Sequence, residues 1–231
     1  MARLRFHDLV DELRIRFPAD YWIERFGNFG NDFDHLNTIY DDALSCLDEE
    51  SWKLLSSKLK KKFKEPETQR GKTDFFSTLN EALAYRDILE RGGEEVCLIK
   101  ERNDQRVPDI SYMINGCRFY CEVKTLGISN DQLQLYEKVE MFDPTIFESL
   151  TRDFFNRLKD KIEDAQGDRA STMVYLFVDF DDFTKVHLDT YRFQIQDFFL
   201  RYFPRLHICA RSGLTGTEFL THNLDTLELG D

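Results

Sequence analysis

The chain has 231 residues, 42% hydrophobic and 32% charged, with 21 Phe and 9 Tyr, a composition that suits a globular protein with a sizeable core and excludes a largely disordered one. A net charge of -12 excludes nucleic-acid binding through a general basic surface, because Lys and Arg carry phosphate affinity, but leaves room for a local basic groove. Five scattered cysteines without a CxxC pair read as buried small hydrophobes in a reducing compartment, and with no signal-peptide pattern and no run of about 18 apolar residues the expectation is a cytoplasmic protein that does not enter a membrane.

Residues 6 to 64 carry helical spacing of apolar residues, as in FHDLVDELRIRF and SWKLLSSKLKKKF, interrupted by the turn-rich RFGNFGNDFD. The basic run KLKKKFK, 58 to 64, reads first as a solvated helix face and second as a phosphate contact. A polar segment, EPETQRGKTD, then precedes a helix that starts at a capping-type Thr73 or Asp74 and stops at a Gly pair after Arg91. The division expected from this is a helical N-terminal extension, 1–70, and a second domain, 71–231.

Beyond that helix, EVCLIKE has strand character, and PDISYMI and CRFYCEVKTL flank Asn115-Gly116, the strongest two-residue hairpin signal. DPTIFESLTRDFFNRLKDKIEDAQG, 143 to 167, predicts an amphipathic helix with Pro144 near its start, and STMVYLFVDF a strand buried on both faces. LDTYRFQIQDFFLRYF predicts a further helix and RLHICAR a last short strand before a Gly- and Thr-rich tail. The order predicts an α/β protein: a mixed central sheet with helices on it, in a three-layer α/β/α arrangement.

With Asn115 and Gly116 as the two turn residues, Asp109 faces Glu122 across the hairpin. Alternation puts Ile110, Tyr112, Ile114, Cys117, Phe119, Cys121 and Val123 on an apolar face, and Asp109, Ser111, Tyr120, Glu122 and Lys124 on a polar one. Opposed carboxylates have Cβ atoms roughly 5 Å apart and repel. A divalent cation relieves that repulsion, since Mg²⁺ and Mn²⁺ prefer oxygen ligands, and Lys124 lies beside such a cation without binding it. A cation that polarises a phosphoryl oxygen and acidifies water, next to an ammonium, suits phosphodiester hydrolysis. On hairpin geometry alone, a solvent-facing strand with a Glu–Lys pair fits equally well.

Pro108-Asp109 followed by Glu122-Val123-Lys124 on the next strand resembles the PD-(D/E)xK nuclease superfamily, the restriction-endonuclease-like fold. The resemblance covers residues 74 to 180, where the predicted α-β-β-β-α-β order matches the superfamily core. It implies a nuclease that hydrolyses DNA, favoured over RNA, with Mg²⁺ or Mn²⁺ as cofactor. It also implies that Asp109, Glu122 and the Val123 carbonyl bind the metal, that Glu81 assists from the preceding helix, and that Lys124 acts on the water or the scissile phosphate. Glu81 has a second reading, an exposed helix glutamate beside Asp87 and Glu90.

Some subfamilies add a QxxxY motif, and Gln132 to Tyr136 has that spacing, which makes these two residues candidates for nucleic-acid contact. The helices before residue 70 have no counterpart in the common core and are expected to fix the substrate, a dimer contact or a protein partner. The alternative function is a catalytically silent module of the same fold that binds nucleic acid or protein. His35 in a polar loop, and Asp179, Asp181 and Asp182 after the buried strand, read first as surface residues and second as cation ligands. FGNFG and SGLTG lack the strand-to-helix setting and the lysine of a phosphate-binding loop.

Overall fold

The computed structural model describes residues 5–20, 23, 32–64, 72–101, 107–126, 149–166, 172–178, 187–206, 208–212 and 217–222. In chain order the elements are α1 (Arg5–Arg16), α2 (Asp32–Ser45), α3 (Glu49–Lys64), α4 (Thr73–Glu90), β1 (Glu94–Leu98), β2 (Ile110–Ile114), β3 (Cys117–Leu126), α5 (Arg152–Gln166), β4 (Thr172–Val178), α6 (Leu188–Tyr202), β5 (Ile208–Ser212) and β6 (Thr217–His222). They fall into two compact units, Met1–Arg118 and Phe119–Asp231. The α/β class expected from the pattern is present. The boundary between the units lies just after the Asn115-Gly116 turn, whereas composition alone had pointed to the polar segment 65–74. No helix among the described residues is long and apolar enough to cross a membrane.

The first unit is built around α4. Helix α1 buries Phe6, Leu9, Val10 and Leu13, the three-and-four spacing of a one-sided apolar stripe, against α2. Helix α3 buries Ser51, Leu55, Leu59 and Phe63, a single narrow stripe. Helix α4 differs from both: from Thr78 to Tyr85 every residue is buried, because α2 and α3 both pack on it and β1 and β2 lie alongside. A helix enclosed in this way has no solvated face on which to park a charge.

Polar side chains fix the helices in place. The buried Arg5 guanidinium donates to the carbonyls of Leu44 at 2.8 Å and Leu47 at 2.6 Å and to Glu49 at 2.9 Å, satisfying carbonyls at the end of α2. Asp48 caps α3 by accepting from the Glu50 and Ser51 amides, both at 2.8 Å, and from the Ser51 hydroxyl. Ser51 Oγ in turn accepts from the Leu98 amide, and the Tyr85 hydroxyl donates to the Val96 carbonyl. Through these bonds α3, α4 and β1 share one alignment.

Helix α4 begins at Thr73, but neither Thr73 nor Asp74 caps it: the N-cap position is Lys72, with no side-chain cap bond. Its C-terminus follows the expected glycine logic. Gly92 has φ +85°, its amide donates to the Leu89 carbonyl, and the Gly93 amide donates to Ile88, the paired bonds of a Schellman motif. Strand β1 then pairs antiparallel with β2, with Cys97 opposite Ser111 and Leu98 opposite Ile110. The turn after β2 has φ +51° at Asn115 and +76° at Gly116, the two positive values that a type I′ hairpin turn requires.

The second unit is a mixed sheet in which β3, β4 and β5 are parallel and β6 returns antiparallel to β5. Residues Met173 to Val178 of β4 are all buried, as a strand covered on both faces must be. One sheet face, with Leu126, Val174, Leu176 and Ile208, packs on Leu158 and Ile162 of α5 and on Ile195 and Phe199 of α6. Three expectations need correction. Helix α5 starts at Arg152 rather than 143, because Thr151 accepts the Phe154 amide as an N-cap and Leu150 precedes it outside the helix; residues 127–148 lie outside the described residues. The Gly- and Thr-rich tail contains β6, with Thr221 opposite Cys209. The cysteines are free, but only Cys121 and Cys209 are buried, while Cys46 and Cys117 are exposed.

Replacing Asp48 by Ala is expected to cost about 1–2 kcal/mol of stability, the worth of a helix N-cap, measured as a lower denaturant midpoint at unchanged slope.

Candidate functional site

The predicted residues are divided between the units: Glu81 and Asp109 belong to the first, Glu122, Val123 and Lys124 to the second. In the first unit, α3 and α4 run antiparallel, as the side-chain bonds between them show, from Asp48 and Tyr85 at one end to Lys62 and Asp74 at the other. Between these ends, the Lys58 ammonium donates to Glu81 Oε1 at 2.7 Å. The same ammonium lies 2.6 Å from Glu101 Oε1 and 4.0 Å from Asp109 Oδ1. Three carboxylates of widely separated sequence position therefore surround one lysine.

Glu81 is buried, 8% exposed, so it is not the solvated helix residue that its acidic neighbours suggested. Burial and the negative charge of Asp109 push its carboxyl up to about 8, against the opposing pull of Lys58. Burial alone would lower the Lys58 ammonium, but attraction to Glu81 and hydrogen bonds to Glu101 and Glu81 hold it well above the ordinary lysine range. Glu101 is lowered by its hydrogen bond to Lys58. Asp109 is anchored by its backbone, whose carbonyl accepts the Ile99 amide at 2.8 Å and extends the β1–β2 ladder by one bond.

In the second unit, Glu122 and Lys124 project from one face of β3. Glu122 is paired in register with Val174 and Lys124 with Leu176, so both share the sheet face whose apolar side chains pack on α5 and α6. Glu122 is buried at 7%. Its charge is met by the Lys124 ammonium at 2.6 Å, which also lies 3.3 Å from Asp164 of α5. A buried carboxylate on an apolar face requires such a partner.

Hard carboxylate oxygens are the donor type that Mg²⁺ and Mn²⁺ select, and Glu81, Glu101 and Asp109 supply such oxygens around Lys58. The donor chemistry thus fits the implied cation. Among the described residues no group of three or more His, Cys, Asp or Glu side chains is disposed to hold a metal ion. Gln132 and Tyr136 lie outside the described residues, as do Asp179, Asp181 and Asp182. His35 falls within α2 rather than in a loop, and its side chain also lies outside the described residues.

Sequence reasoning missed Lys58. It opens the run KLKKKFK, which was read as a solvated face, and Lys61 and Lys64 are indeed exposed. Lys58 falls one position before the buried Leu59, at the edge of the stripe that faces α4, which was the available signal.

Because the folded protein holds a proton on Glu81 above the ordinary value of 4.5 and up to about 8, it binds more protons than the unfolded chain in that window, and stability falls as pH rises through it. The slope is up to about 1.4 kcal/mol per pH unit for a single site. Glu81→Gln is expected to flatten it, as read from chemical denaturation between pH 5 and pH 8; an unchanged slope would count against the buried, raised carboxyl. Compared with protein-family models, with curated proteins and with solved structures, the chain matches none.

Proposed function

We propose that the protein is a metal-dependent nuclease of the PD-(D/E)xK type, with a three-layer α/β/α restriction-endonuclease-like core, which hydrolyses phosphodiester bonds of DNA in preference to RNA. The observation that carries this reading is the buried Glu81 gathered with Asp109 around the Lys58 ammonium, where burial and then the negative charge of Asp109 push the Glu81 carboxyl up to about 8. Such perturbed acids concentrate at functional sites. The order α4-β1-β2-β3-α5-β4, with β1–β2 antiparallel and β3–β4 parallel, is consistent with it. So is the type I′ turn at Asn115-Gly116.

In this reading Asp109, Glu122, the Val123 carbonyl and, directly or through water, Glu81 hold Mg²⁺ or Mn²⁺. When bound, the cation supplies polarisation of the scissile phosphate and acidifies the attacking water. Lys124, held at 2.6 Å by Glu122 and at 3.3 Å by Asp164, keeps its ammonium fixed, where it orients the water and offsets negative charge as the water oxygen bonds to phosphorus and the leaving oxygen departs. Gln132 and Tyr136 are assigned to the nucleic acid on spacing alone.

A second reading, a catalytically silent module of the same fold that binds nucleic acid or protein, is favoured by one observation: an ammonium, Lys58, already sits 2.7 Å from Glu81 and 2.6 Å from Glu101. The two readings part on activity. Wild type with Mg²⁺ or Mn²⁺ is expected to cut plasmid and single-stranded DNA, and Asp109→Ala and Lys124→Ala to lose at least about 100-fold, the scale of one removed charge stabiliser. RNA is the comparison substrate. Cleavage equal in wild type and both variants is contamination and sinks the nuclease reading.

A further inference from the structure

The acidic cluster of the first unit contains a cation of its own. Lys58 Nζ lies 2.7 Å from Glu81, 2.6 Å from Glu101 and 4.0 Å from Asp109, so one positive charge faces three carboxylates. A lysine ammonium is a compact point charge with three donors, well suited to such a position. Glu81 Oε1, the oxygen that accepts from Lys58, belongs to a carboxylate assigned above to the cation. An ammonium at hydrogen-bond distance from that oxygen and a divalent cation bound close to the same group repel one another strongly at partial burial.

The surroundings of Lys58 give it a way out. Its side chain is 24% exposed and Glu101 is 70% exposed, so the ammonium lies between a buried carboxylate and one reaching into water. Its four-carbon stem is flexible, and its entropy rises when it leaves the buried partner. Glu101, at the solvent end, retains a partner as the lysine moves.

We propose that Lys58 is the resident counter-ion of the Glu81–Asp109 pair and yields that place to a divalent cation, so that a residue of α3 sets how readily the site loads; the inference rests on the metal-dependent reading above. Helix α3 thereby acquires a role at the site, and the first residue of the basic run is its acting part.

The test is Mn²⁺ binding to the full-length, chelator-stripped protein by calorimetry, without nucleic acid. Lys58→Met keeps the apolar stem and removes the charge; it is expected to bind Mn²⁺ about tenfold more tightly than wild type, within the usual range of site coupling. Lys64→Met, which removes the same charge from the exposed end of α3, is the reference for bulk charge. Asp109→Ala reports on the metal site itself and is expected to bind more weakly. Equal or weaker binding by Lys58→Met, with Asp109→Ala impaired, overturns the counter-ion inference and leaves the metal site standing. Absence of Mn²⁺ binding in wild type and Lys58→Met alike, or unimpaired binding by Asp109→Ala, overturns both. Should Lys58→Met fail to fold, reductive methylation of unmutated protein decides the point: saturating Mn²⁺ is expected to raise modification of Lys58 several-fold, and equal or lower modification overturns the inference.

Discussion

A carboxylate in the middle of an enclosed helix is the constraint around which the first unit is arranged. Helix α4 is covered by α2 and α3 and flanked by β1 and β2, which leaves Glu81 no access to bulk water sufficient to solvate its charge. The group must either keep its proton or find a cation, and both tendencies are visible: it is pushed up to about 8 and it is paired with Lys58 at 2.7 Å. The alignment of α3 on α4 serves the same pairing. Asp48, Ser51 and Tyr85 tie the start of α3 to α4 and β1, and about two turns later Lys58 arrives opposite Glu81. A shift of α3 by one residue would turn that lysine away by about 100°.

The second unit solves a comparable problem by other means. Glu122 is buried on a sheet face where Leu126, Val174 and Leu176 form part of the apolar core. There the counter-charge is local, from Lys124 two residues along the same strand, where alternation returns the side chain to the same face. Asp164 of α5 completes a three-residue chain of charges, so each buried acid among the site residues is offset within its own unit.

Much of the architecture was legible because it depends on short-range rules. The Gly92-Gly93 stop of α4, the Asn115-Gly116 turn and the run Met173 to Val178 each state their structure in a few consecutive residues. The failures have physical reasons too. Thr151 competed with Pro144 as a helix start, and a hydroxyl that accepts an amide is a stronger local signal than a tolerated proline. Strand β6 is read from sequence as part of a tail because it is short and follows the glycines at 213 and 216; its pairing with β5 supplies the order. Lys58 shares one basic run with Lys61 and Lys64, and only its place beside the buried Leu59 sets it apart from those two.

What the sequence determined by itself was most of the inventory and the local geometry: the helices and strands apart from β6 and the start of α5, where the hairpin turns, and which face of β3 carries Glu122 and Lys124. Helical period, strand alternation and positive-φ turns act between near neighbours, and the chain encodes them directly. Only the tertiary structure decided that Glu81 is buried rather than solvated and that Lys58 and Glu101 join it and Asp109. Desolvation and Coulomb attraction depend on distance in space and on what excludes water. Residues 58, 81, 101 and 109 become neighbours only when α3, α4 and the β1–β2 pair have packed.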